Sequence, residues 1–188
     1  MRFKCIFVAI SVLMLACTGF SQECPQVKNG KMAVQYLLDK KVNNTEADRY
    51  CVEDAFETLS FATRFRSKNY IKFLVEMLDF ERWTPGLTNE AGEEKYPAIN
   101  VLIGLQKSGK DVVPYLINGI KENDSEVLRT NAALTLYESI HGCAALSLLS
   151  RQDENENVPY EQKQRLEAAT KLIKGIAGQP CEADSSKP

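Results

Sequence analysis

The sequence predicts an all-α fold assembled from antiparallel helix pairs. Apolar residues recur at three- and four-residue spacing through the body of the chain, and no stretch alternates strictly enough to read as a strand. Capping and breaking residues interrupt that pattern at short intervals, as connections between paired helices do. The composition agrees with a packed soluble body: 188 residues, 44% hydrophobic and 26% charged. That length buries a real core in one domain.

The elements follow in order. Lys31 to Lys40 carries Met32, Val34, Tyr36, Leu37 and Leu38, a short first helix broken by Val42-Asn43-Asn44. Thr45 suits the cap of the next helix, with Asp48 three residues on, and Val52, Ala55, Phe56 and Leu59 share a face as it runs to about Phe65. A helix over roughly Lys68 to Phe80 buries Ile71, Leu74, Met77 and Leu78. Glu81 to Lys95 is a polar linker holding Trp83, the only tryptophan. A helix then starts near Tyr96, with Pro97 in its first turn, and stops at Ser108-Gly109. Asp111 to Glu122 buries Val112, Val113, Leu116, Ile117 and Ile120. Asn123-Asp124-Ser125 ends that helix and caps its successor, which reaches Ile140 before Gly142 breaks it. A short helix covers Ala144 to Arg151, a polar loop Asp153 to Pro159, and a last helix Tyr160 to Ile176.

Residues 1–21 stand outside this body. Arg2 and Lys4 precede an apolar run from Cys5 to Ala16, and Gly19-Phe20-Ser21 offers small residues for cleavage before Gln22, the pattern of a secretory signal peptide. The run is too short for a membrane span. Met14-Leu15-Ala16-Cys17 also resembles a lipobox, which would make Cys17 a lipid anchor. Removing the leader takes the formal charge from −2 to −4. The expected organisation is a leader (1–21), an N-terminal segment with one short helix (22–44), a helical domain (45–177) and a C-terminal tail (178–188). The location is secreted or periplasmic.

Four cysteines remain: Cys24, Cys51, Cys143 and Cys181. An even number in an exported chain favours two disulfides. Of the three possible connectivities, Cys24–Cys51 with Cys143–Cys181 would tie each terminal segment to a nearby helix.

The helix pairs resemble one another. Leu128-Arg129, Ala132, Leu136 and Ile140 are similar to the first helix of a HEAT repeat, and Gly109 to Leu116 with Ile120 is similar to the second. Ile71, Leu74, Leu78 and Asp79 echo the second pattern earlier in the chain, and Ala145 and Leu148 echo it later. Ala55, Ala98 and Ala132 fall at corresponding places, spaced by 43 and 34 residues. HEAT units run about 40–47 residues, so the second spacing is short. Lys95 stands where Arg129 does, and Val52 replaces that arginine in the first unit. The resemblance spans roughly Thr45 to Ile176. It implies a short right-handed superhelix of stacked pairs, with a closed helical bundle as the alternative.

The chemistry is sparse. His141 is the single histidine, and Glu138-Ser139-Ile140-His141 alone cannot build a di-iron site, which needs two such motifs. No P-loop, nucleophile elbow or dinucleotide fingerprint occurs. No catalytic, cofactor-binding or metal-ligating residue is therefore assigned, and neither an enzyme nor a cofactor is expected. The basic-aromatic stretch Arg64 to Lys72 reads as a solvated turn, so nucleic acid is not an expected partner. Asn43-Asn44-Thr45 and Asn123-Asp124-Ser125 fit the N-glycosylation pattern, which matters only in a eukaryotic secretory pathway.

HEAT resemblance implies a scaffold that binds a protein partner. Its second helices usually line the concave surface, which here offers Lys72, Glu76, Tyr115, Asn118, Ser147 and Arg151, with Trp83 in the linker as a contact anchor. The alternatives are a small exported inhibitor or immunity protein of a secreted enzyme, and a hydrolase using clustered carboxylates.

Overall fold

The computed structural model describes residues 24, 27–43, 49–65, 69–81, 95–154 and 157–177. The leader, Thr45, Trp83, Cys181 and the C-terminal tail lie outside the described residues. Among those residues the structure is all-helical: α1 (Gly30–Lys40), α2 (Arg49–Phe65), α3 (Asn69–Glu76), α4 (Pro97–Lys107), α5 (Val113–Glu122), α6 (Glu126–Ile140), α7 (Gly142–Asp153) and α8 (Tyr160–Ala177). None of them is long and apolar enough to cross a membrane.

Local chemistry sets most of these boundaries. The Asn29 side chain accepts from the Met32 N–H at 3.1 Å and starts α1. At the other end of α1, Lys41 Nζ donates to the Glu76 carbonyl at 3.0 Å and pairs with Asp79 at 2.7 Å. A cation thus sits on the C-terminus of α3, where the helix dipole is negative. Helix α4 ends in a Schellman turn: Lys110 N–H reaches the Leu105 carbonyl, Gly109 N–H reaches Gln106, and Gly109 takes φ 81°.

The α5–α6 turn is the most heavily clamped. Asn123 Oδ1 accepts from Ser125 N–H at 2.9 Å, and Ser125 Oγ accepts from Leu128 N–H at 3.2 Å, as the cap reading expects. Arg129 donates to the Asn123 and Asp124 carbonyls at 2.9 and 2.7 Å. From α8, Arg165 donates to the Lys121 carbonyl at 3.0 Å and pairs with Asp124 at 2.9 Å. Two guanidinium groups therefore satisfy the carbonyls at the end of α5. Lys95, aligned with Arg129 in the sequence, instead pairs with Glu81 at 3.1 Å. That hydrogen bond raises the Lys95 pKa above its usual value.

Helix α6 is the centre of the packing. It contacts α3, α4, α5, α7 and α8, and it buries Leu128, Asn131, Ala132, Ala133, Thr135 and Leu136 on more than one face. Two of its buried polar side chains are satisfied, whereas the buried Ser139 Oγ has no hydrogen-bond partner among the described residues. Asn131 Nδ2 donates to the Leu78 carbonyl at 2.7 Å, where the turn after α3 leaves that group without a helical partner, and Thr135 Oγ1 donates to the Asn131 carbonyl at 2.6 Å. Ala55, Ala98 and Ala132 are all fully buried. They sit on α2, α4 and α6, and α2, α4, α6 and α8 contact one another in succession.

The pairing differs from the expectation in one respect. The sequence places α4 and α5 in one pair, yet these two do not pack extensively. The broadest contacts are α5 with α6, α7 with α8 and α1 with α2. The Schellman turn and the Ser108–Val112 connection carry α5 away from α4. The short arginine-clamped turn at Asn123–Ser125 folds α6 straight back onto α5. The hairpins are thus phased one helix away from the sequence reading. Helix α7 also begins at Gly142 and runs to Asp153, longer than the predicted Ala144 to Arg151.

A single residue, His141, joins α6 to α7, at φ 67° and ψ 144°. That region is strained for any residue with a Cβ, at a cost of about 1–3 kcal/mol. His141→Gly is expected to raise the unfolding free energy by about 0.5–1 kcal/mol, after glycine's own entropic cost. His141→Ala should leave it nearly unchanged. Denaturant unfolding of the two variants checks the difference.

Candidate protein-binding groove

Four residues of the predicted surface meet in one place. Lys72 and Glu76 on α3 face Tyr115 and Asn118 on α5 across a groove of about 380 Å³. The spacing follows from the helix. Positions 72 and 76, like 115 and 118, lie one turn apart on the side opposite the buried Ile71, Leu74, Leu116 and Ile120. Val75 and Leu128 form an apolar floor, and Glu122 and Asn123 close the end nearest α6.

The rim is polar and solvated. Lys72 and Glu76 approach to 3.8 Å with both side chains largely exposed. Such a pair is worth a few tenths of a kcal/mol at most, so it separates readily. Tyr115 is half-buried, its ring packed against the core and part of its surface open. A rigid, partly buried tyrosine beside a small polar residue is a common interface anchor, because little rotamer entropy is lost when it is covered.

Gly119 shapes the floor. A Cβ at this position would stand 2.9 Å from Val75 Cγ1, 3.5 Å from Leu128 Cδ2 and 3.8 Å from Ala132 Cβ. Glycine inside a helix costs about 1 kcal/mol relative to alanine. Here it lets α3, α5 and α6 approach closely. Sequence reasoning did not select Gly119, although an isolated glycine within a helical pattern is a recognised sign of close packing. Glu122 and Val75 carried no distinguishing signal, and Leu128 stood out only as part of the HEAT-like pattern.

The other predicted residues fall elsewhere. Ser147 and Arg151 are exposed on α7, and α5 packs on α8 in place of α7, so they do not extend this groove. Trp83 lies outside the described residues.

Cys24 and Cys51 form a disulfide, as expected. Cys143 is also disulfide-bonded, with its partner outside the described residues. Among the described residues, no group of three His, Cys, Asp or Glu side chains is placed to hold a metal ion. Comparison of the chain with protein families, with curated proteins and with solved structures gives no match.

Proposed function

We propose that this chain is an exported, non-catalytic protein-interaction module of HEAT-like helical hairpins that binds a protein partner through the α3–α5 groove. The observation that carries the reading is the convergence of Lys72, Glu76, Tyr115 and Asn118 around an apolar floor. A groove with a polar rim, a tyrosine anchor and a desolvated floor suits a protein segment better than chemistry. Stacked helical hairpins build such grooves between successive helices on one side of the row. Export rests on the leader pattern, and the disulfide at Cys24–Cys51 is compatible with an oxidising compartment.

The test is a paired substitution. Tyr115→Ala with Asn118→Ala should weaken binding to a crosslink-identified partner by roughly thirty-fold or more, the loss of a hot-spot anchor. Both side chains are at least partly exposed, so the helical circular dichroism spectrum should persist. Unchanged affinity in the folded variant would remove the groove from the account.

A further inference from the structure

A second cavity lies elsewhere, where Cys24 and residues 27–30 meet α2. It is an open cleft of about 750 Å³, lined by Lys28, Asp54, Glu57, Thr58, Phe61 and Ala62 among others. The disulfide to Cys51 and the 2.8 Å hydrogen bond from Cys24 N–H to Asp54 fix its wall. Just beyond its mouth, Phe65 contacts Phe61 at a ring-centroid distance of 4.8 Å. These rings are 58% and 70% exposed, which the fold does not require. Asp54, Glu57, Phe61 and Phe65 recur at helical spacing along one face of α2, so carboxylates and aromatic rings form a single stripe.

We infer that this stripe is a second docking site, which takes a short protein segment carrying a lysine or arginine next to an apolar side chain. The charge balance selects the cation. Among the described lining residues two carboxylates face one ammonium, Lys28, a net negative balance. The Asp54 oxygen that accepts from Cys24 keeps lone pairs for a further donor. Phe61 adds an aromatic surface that attracts a cation. The extent of the stripe selects a segment over a small molecule. Phe65 is not part of the cleft lining, so a ligand that covers both rings must run out of the cleft along α2. An aliphatic or aromatic neighbour of the basic residue would cover the two rings. This site is independent of the α3–α5 groove, and it stands or falls without it.

The experiment is an NMR titration of the full, disulfide-intact protein labelled with nitrogen-15. The probes are acetyl-Lys-Leu-Lys-Phe-amide, acetyl-Glu-Leu-Glu-Phe-amide and lysinamide alone. Saturable shifts at the Asp54, Glu57, Phe61 and Phe65 amides are expected with the lysine peptide, with affinity roughly ten-fold or more above that for the glutamate peptide. Glu57→Gln should weaken the lysine peptide several-fold, and Phe61→Ser with Phe65→Ser should abolish saturation. All three side chains are exposed, so these variants should keep the wild-type spectrum elsewhere. Equal response to both peptides, or shifts that ignore the substitutions, would overturn the proposal. Lysinamide binding as tightly as the peptide would replace the segment with a small cation. Self-association abolished by Phe61→Ser would assign the stripe to a second copy of the chain instead.

Discussion

Replacing Ala132 by leucine is expected to lower the unfolding free energy by about 3 kcal/mol, at the upper end of the usual overpacking range. The residue is fully buried in α6, the helix that touches five others. On its α5 side the space is already consumed. A Cβ at Gly119 would lie only 3.8 Å from Ala132 Cβ, so the α5 backbone occupies the volume that three additional carbons would need. Leucine must therefore push α5 and α6 apart or adopt a strained rotamer. Ala132→Gly tests the same place from the other side. It removes one methyl and about 1 kcal/mol of helix propensity without a clash, so its effect should be the smaller of the two. Chemical denaturation of both variants measures the contrast. A leucine variant as stable as the wild type would mean that α5 and α6 do not meet at small residues.

Removing the Cys24–Cys51 disulfide is the other large effect. The bond closes a loop with a sequence separation of 27 residues. The chain-entropy relation for a loop of that size gives about 3.5 kcal/mol of stabilisation through the unfolded state. Cys24→Ala with Cys51→Ala should lose at least about that much, since deleting the two sulfurs also leaves a small void at the buried Cys24 site. The structural consequence is local. Cys24 also donates its N–H to Asp54, and α1 packs broadly on α2, so the first hairpin should loosen before the α5–α6 centre does. Hydrogen exchange should show faster opening in α1 with protection retained in α6. Uniform loss of protection across both would contradict a local role for the bond.

The fold class was legible because helical periodicity is a local signal. Val52, Ala55, Phe56 and Leu59, then Ile71, Leu74, Met77 and Leu78, then Leu116, Ile117 and Ile120 all reach the core that their spacing predicts. Ser125 caps α6 for the same reason, since the bond is made within four residues. Leu38 in α1 departs from the reading. It is half-exposed, while Ala33, Tyr36 and Leu37 make the buried face, because an apolar run on a short helix does not say which of its residues faces a neighbour. The hairpin phase was not legible either. Whether α5 folds back on α4 or on α6 depends on the direction in which each turn sends the chain, and on Arg165 reaching the end of α5 from 44 residues away.

The candidate groove was partly legible. Lys72, Glu76, Tyr115 and Asn118 were chosen as positions off the apolar face, and packing of α3 against α5 brings them together. The same logic selected Ser147 and Arg151, but α8 takes the place beside α5 that α7 was expected to fill. Phe61 gave no sequence signal of its own, and Phe65 stood out only within the basic-aromatic stretch Arg64 to Lys72. An aromatic residue within an amphipathic helix reads as core until its neighbours are known.

The central claim is that the α3–α5 groove receives a protein partner. The most direct measurement places a photoreactive amino acid at Asn118, and separately at Ser147, in the chain expressed in its native host, followed by mass spectrometry of the adducts. The account predicts one dominant partner crosslinked from position 118, absent from position 147 and lost when Tyr115→Ala is added. Equal crosslinking from both positions, or no partner from 118, would contradict it.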